Sequence, residues 1–205
     1  MTRVEPAATV FVVDDDDGVR SALALLLKSM SQPAVTYASA AEFLAGYDPD
    51  RPGCALLDVR MPGMSGLELQ DELNRRGVVL PVIFITGHGD VPMAVEAMQR
   101  GAFDFLQKPF RDDDLAERIR RALAHDRELR AAIGEKSQIR LRLERLTPRE
   151  RQVLELVAAG KPNKVMAAEL GVSQRTVEIH RAHVMKKMGA SSLAQLVRMR
   201  LIAGE

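Results

Sequence analysis

The sequence of 205 residues has one cysteine, no tryptophan and only 4% aromatic residues. A lone Cys54 forms no internal disulfide, which points to a reduced compartment rather than a disulfide-stapled secreted fold. Long hydrophobic runs are missing too. The longest apolar stretches, around 21–27 and 78–85, fall far short of the roughly 18 residues a membrane span requires. Residues 1–13 hold no apolar block followed by a small-residue cleavage site, so a cytoplasmic location with no membrane partner is expected. A net excess of one charge is also absent, since 29 basic and 28 acidic residues leave +1. That balance conceals a division. Residues 1–124 hold 13 Lys/Arg against 19 Asp/Glu, a net −6, whereas residues 125–205 hold 16 against 9, a net +7. An acidic front suits a cation or phosphoryl site, and a basic rear suits nucleic acid.

Short runs rich in apolar and β-branched residues at 9–13, 34–37, 54–57, 81–86 and 102–106 are bounded by Gly, Pro or Asp and predict five strands. Helical spacing fills the intervals at 19–30, 40–45, 67–75 and 91–100. A fifth helix starts near Asp112, with Leu115, Ile119, Ala122 and Leu123 on one face. This alternation predicts an α/β fold, a doubly wound five-stranded parallel sheet over residues 1–124, whose sites gather at the carboxyl ends of the strands. Residues 125–145, ten of 21 charged and weakened by Gly134, read as a linker that is helical in its first part. Residues 146–205 show no strand pattern. Helices at 148–159, 163–170, 174–188 and 192–202 predict an all-α rear domain, opened by Thr147, Pro148 and Glu150 as a helix start.

Each predicted strand of the site edge stops at a polar group. The first runs into Asp14, Asp15, Asp16 and Asp17, the third ends at Asp58, the fourth at Thr86, and the fifth is followed by Lys108. Converging carboxylates repel unless a cation sits among them, and an oxygen-only site suits Mg²⁺. Such an ion spreads charge off a transferring phosphoryl group, Lys108 pairs with another of its oxygens and Thr86 hydrogen-bonds a third. Asp58 is the expected nucleophile of an aspartyl phosphate. Asp16 and Asp17 are expected to face water. Arg60 and His88, two residues past Asp58 and Thr86, either tune dephosphorylation or are ordinary surface residues; Cys54 reads as core.

The segments Val12-Val13-Asp14-Asp15, Leu57-Asp58-Val59-Arg60-Met61-Pro62-Gly63, Ile85-Thr86-Gly87-His88-Gly89 and Lys108-Pro109-Phe110 resemble response-regulator receiver domains, a family of flavodoxin-like fold, over about residues 6–125. The resemblance implies phosphoryl transfer from a sensor histidine kinase to Asp58. It also implies Mg²⁺ on Asp15, Asp58 and the Arg60 carbonyl, with Asp14 assisting through water. A switch is implied in which Thr86 swings toward the phosphoryl group and Phe105 turns inward. Phe105 stands where Tyr is often found, which brings any hydroxyl-dependent version of that switch into question. On this reading the chain is a regulator and not an enzyme. A rival remains: Asp15-x-Asp17-Gly18 looks like the first motif of haloacid-dehalogenase-type phosphatases, with Asp15 as nucleophile. Those enzymes need a further acidic pair after a later strand, whereas the acidic run at 112–114 opens a helix.

Counting from Asn163, Ala167 is fifth, Gly171 ninth and Val177 fifteenth, the spacing of a helix-turn-helix. Met166, Leu170 and Val172 fill the other core places, and His180 at the eighteenth is expected to pack. With Leu146-Thr147-Pro148-Arg149-Glu150-Arg151, Thr176-Val177-Glu178-Ile179-His180 and Lys186-Lys187-Met188-Gly189, the rear resembles the LuxR/NarL class of DNA-binding domains over about 143–203. The helix at 174–188, capped by Ser173, then enters the major groove. Gln174, Arg175, Glu178, Ile179, Arg181 and Ala182 lie outward or near its start: Arg175 or Arg181 for guanine, Glu178 for cytosine, Ile179 or Ala182 for a thymine methyl. Lys161, Lys164, Thr176, Lys186 and Lys187 suit phosphates. A homodimer, paired through the last helix, is expected on two half-sites of promoter DNA, with RNA polymerase as a further partner. A rear that binds protein instead would lack the steep salt dependence of DNA binding. The stretch 85–95 and the rear together further resemble regulators of nitrogen-fixation and microaerobic genes, which implies an oxygen-sensing haem kinase as partner.

Overall fold

Five strands, β1 Thr9–Val13, β2 Ala34–Tyr37, β3 Gly53–Asp58, β4 Val82–Thr86 and β5 Asp104–Gln107, form one sheet in the order β2-β1-β3-β4-β5. This computed structural model describes residues 7–87 and 91–204. Every pairing is parallel, which is the doubly wound arrangement with its switch point between β1 and β3. The register places the site. Val13 pairs with Leu57 and Asp58 with Ile85, so Asp14 and Asp58 end their strands at one level. Thr86 lies one level beyond and pairs with Gln107, and Lys108 follows one residue later.

Both faces of the sheet are covered, which is why its central strands are continuous apolar runs rather than alternating ones. On one face, Leu23 and Leu27 of α1 (Asp17–Ser29) and Leu115, Ile119 and Ala122 of α5 (Asp112–Glu144) pack on Val10, Val12, Leu56 and Ile83. On the other, α2 (Ala40–Gly46), α3 (Gly66–Arg75) and α4 (Val91–Gln99) bring Phe43, Leu69, Leu73 and Ala97 onto Phe11, Val13, Leu57 and Phe84. β3 begins one residue before the expected 54, because Gly53 tolerates a close approach: a Cβ there would lie 1.9 Å from the Thr9 carbonyl oxygen.

The chain divides into two compact units, residues 1–130 and 131–205. The stretch 125–145, read from the sequence as helical only in its first part, is helix as far as Glu144, and Gly134 does not interrupt it. Ala, Leu, Glu and Arg fill much of the segment, and their helix propensity outweighs the roughly 1 kcal/mol cost of one glycine. Asp126, 1% exposed, accepts from the Gly53 amide (3.0 Å) and from Arg130 Nε (2.9 Å). Arg130 also donates to the carbonyls of Pro49 and Arg51 (3.0 and 3.1 Å). The first unit thus closes on a buried carboxylate paired with a half-buried arginine.

In the second unit, α6 (Pro148–Ala158), α7 (Asn163–Leu170), α8 (Gln174–Met188) and α9 (Leu193–Ala203) surround Val153, Leu154, Met166, Val177, Val184, Met188 and Leu196. Ile139 from the end of α5, 2% exposed, belongs to this core. No helix among the described residues is long and apolar enough to cross a membrane.

Candidate functional site

At the carboxyl edge of the sheet, Asp14 is 3% exposed, and its Oδ1 accepts from the Asp16 amide at 2.9 Å. Asp58, half-buried, accepts from the Arg60 amide through Oδ2 at 2.7 Å. Lys108 stands between them, its Nζ 3.0 Å from Asp14 Oδ2 and 3.6 Å from Asp58 Oδ1. Burial pushes the Asp58 carboxyl above its ordinary pKa, and Asp14 and Asp15 add to that, against the Arg60 amide and the Lys108 ammonium. Thr86 is 1% exposed, and its carbonyl accepts from the Lys108 amide at 2.8 Å. Phe105 is half-buried against the core under α4.

The three carboxylates do not close into one cluster. Asp15 is exposed, and no group of three metal-ligating side chains converges among the described residues. Lys108 bridges Asp14 and Asp58, and Asp15 stands out in solvent. Asp16 is more than the solvated carboxylate expected of it, since its Oδ1 caps α1 by accepting from the Gly18 and Val19 amides (2.8 and 3.1 Å). Asp17 faces water and pairs with Arg20. Arg60 is exposed, and His88 lies outside the described residues. Cys54 is buried, and burial pushes its thiol pKa up, as a core residue requires. Gly66 is a site residue that sequence reading passed over. A Cβ there would lie 2.1 Å from the Asp58 carbonyl oxygen, so only glycine lets α3 start against the end of β3.

In the second unit, α7 ends at Gly171 in the left-handed conformation (φ 65°), and α8 is capped by Ser173, whose hydroxyl accepts from the Thr176 amide at 3.1 Å. Ala167 and Val177 are buried, as the helix-turn-helix spacing requires. Gln174, Arg175, Glu178, Ile179 and Ala182 are exposed, Ile179 at 50%, while Arg181 is half-buried. His180 is half-buried, with its Nδ1 enclosed. Of the expected phosphate contacts, Lys164 and Lys186 are exposed, and Lys161 pairs loosely with Glu169 at 3.4 Å. The Thr176 hydroxyl meets the Ser173 hydroxyl at 2.8 Å.

Lys187 is engaged otherwise. Its ammonium lies 2.6 Å from Oε2 of Glu150, which is 3% exposed and also accepts from the Thr147 amide in a capping box. Burial alone would push the Glu150 carboxyl up, but the bonds from Lys187 and Thr147 outweigh it and hold the pKa below the ordinary value. The sequence marked Glu150 as a helix-start residue and as one letter of a LuxR-like segment, not as an ion-pair partner. Its partner lies 37 positions away, beyond the reach of any periodicity.

Residues 10–120 match the response regulator receiver domain family, and residues 144–200 match the luxR family of bacterial regulatory proteins. The chain belongs to the two-component response regulators that join a receiver domain to a LuxR-type helix-turn-helix DNA-binding domain. Within them it is FixJ-like. It is 53% identical to the transcriptional regulatory protein FixJ of Azorhizobium caulinodans over 95% of this chain and 92% of that one. It is also 49% identical to nodulation protein W of Bradyrhizobium diazoefficiens, over 97% and 87%. The solved structure of the response regulator StyR superposes with a TM-score of 0.85 at 44% identity, covering 95% of this chain and 98% of StyR.

Proposed function

We propose that the chain is a phosphorylation-controlled transcription activator in which Asp58 accepts a phosphoryl group from a sensor histidine kinase. The observation that carries this reading is the position of Lys108, bridging Asp14 and Asp58 at the sheet's carboxyl edge. An Asp58 oxygen attacks phosphorus, and the bond from phosphorus to the kinase's phosphohistidine nitrogen breaks. Its electron pair leaves with the imidazole, and an acyl phosphate results. Lys108 and Thr86 are the groups that receive the new phosphoryl oxygens, and the rearrangement of Thr86 and Phe105 carries the change outward.

Asp15, Asp58 and the Arg60 carbonyl, with Asp14 through water, would hold Mg²⁺. An ion that keeps several waters needs only one or two carboxylates, so a three-carboxylate cluster is not required. The residues fit it: the half-buried Asp58 and the buried Asp14 bring hard carboxylate oxygens to the same strand ends, with only the Lys108 ammonium set between them. When bound, the ion offsets charge on the phosphoryl oxygens.

Residues 1–124 act as the receiver, 125–145 as the connector and 146–205 as the DNA-binding domain. Phosphorylation promotes a homodimer that binds paired half-sites in promoter DNA through α8 and recruits RNA polymerase, and the unphosphorylated receiver restrains the rear domain. The similarity to FixJ supports control of nitrogen-fixation or microaerobic genes under an oxygen-sensing haem kinase. Incubation with Mg²⁺ and acetyl phosphate, followed by intact mass and peptide mapping, tests the chemistry. One base-labile phosphoryl adduct on Asp58, absent in Asp58→Asn, is expected. An adduct on Asp15 would revive the phosphatase reading, and none would end the phosphoacceptor reading.

A further inference from the structure

Asn163, at the first turn of α7, touches two of the residues assigned above to base reading. Its Oδ1 accepts from Arg181 Nη1, and its Nδ2 donates to Glu178 Oε1 at 3.5 Å. Glu178 and Arg181 are three apart on α8, a spacing at which opposite charges on a helix ordinarily pair directly. Here they meet through the amide of Asn163 instead. A direct pair would cancel the charges of both groups and turn the guanidinium fork away from a base edge. The amide takes one donor of Arg181 and leaves the rest of its fork open, and it offers the Glu178 carboxylate a neutral donor.

We infer that Asn163 is a specificity-positioning residue, which keeps Glu178 and Arg181 apart and aimed at the bases. The inference rests on the reading of Arg181 as a base contact. It assigns a task to the first residue of the helix-turn-helix, which the packing pattern leaves without one. A side chain that offers both an acceptor and a donor is required. Alanine supplies neither, and aspartate would bind Arg181 as an ion pair while repelling Glu178.

The test uses the phosphorylated full chain, selected against a library of randomised duplexes, with Arg181→Ala as reference. At the base pairs where Arg181→Ala loses preference, Asn163→Ala is expected to lose it too, by about tenfold per base pair. Affinity for non-specific DNA and its salt slope are expected to stay unchanged. Asn163→Ala combined with Glu178→Gln is expected to regain the Arg181-dependent preference, because the group that captures Arg181 has lost its charge. A purely structural Asn163 would weaken binding to all sequences alike with no rescue by Glu178→Gln, which overturns the inference. So does an unchanged preference in Asn163→Ala. If Arg181→Ala itself alters no preference, the base-reading assignment fails first and the inference falls with it.

Discussion

Lys108 holds together two carboxylates that would otherwise repel each other across the end of the sheet. Its one positive charge is shared between Asp14 and Asp58, with exposed Asp15 nearby, so the edge carries more negative than positive charge. Asp58→Asn removes one repelling charge and leaves Lys108 to Asp14. The variant is expected to melt above the parent when no divalent cation is present, and Mg²⁺ is expected to raise the parent's Tm more than the variant's. Thermal unfolding with and without Mg²⁺ checks both, and a variant that melts lower in the absence of the ion would contradict the charge argument. Glu150 has the opposite character. Its folded pKa lies below its unfolded value, so its contribution is complete above the ordinary carboxylate range and is lost as the pH falls through the folded value. Glu150→Gln should flatten the acid limb of stability against pH. Glu150→Ala, which also orphans the Lys187 ammonium, should cost about 2–3 kcal/mol at neutral pH by denaturant unfolding.

Among the elements, those whose causes are local were legible from the chain. The strands are short apolar runs, all but β2 stopping at or just before Asp, Thr or Gln, and α6 starts on the capping box of Thr147 and Glu150, visible as letters three apart. Gly171 was legible for the same reason, since the left-handed turn of a helix-turn-helix selects it. Gly171→Ala meets no neighbour within 4 Å, so backbone strain alone is expected to cost about 1 kcal/mol, measured as a lowered unfolding midpoint. Of the edge site, Asp14, Asp58, Thr86 and Lys108 were legible because each ends its strand or comes directly after it. Asp15 was placed with them on sequence alone, and the structure leaves it exposed. What the sequence withheld depends on partners far along the chain. Asp126 reaches Gly53 across 73 positions, Lys187 reaches Glu150 across 37, and Arg181 reaches Asn163 across 18. No local pattern encodes such pairs. Gly66 is similar, for its need to lack a Cβ comes from the Asp58 carbonyl.

For the molecule as a whole, the second compact unit takes in the later part of α5. Ile139 and Leu143 of α5 pack into the core of the second unit, and Arg142 Nη1 donates to the Met188 carbonyl at 2.8 Å. A fragment of residues 131–205 is expected to fold, and a fragment of 146–205 to be less stable by at least the 1.5–3 kcal/mol of one buried aliphatic side chain. Paired denaturant titrations would decide it, and equal midpoints would count against it. In DNA binding, the longer fragment should need no phosphodonor. Weaker binding by that fragment than by the unphosphorylated full chain would show that the receiver does not restrain it. Between the two cores, Ala131 through Glu135, with Ser137 and Gln138, face solvent. Besides an exposed pair from Glu135 to Arg198 at 3.4 Å, helix there rests chiefly on its own backbone ladder and on residue propensity, with Gly134 weakening it further. Amide hydrogens over this short span should therefore exchange with deuterium well before those of either core, through local opening that leaves both cores folded. Gly134→Ala, for which the site has open space, should slow that exchange roughly fivefold, the equivalent of about 1 kcal/mol. The helix that carries the chain from one unit to the next thus opens more easily than the cores it joins.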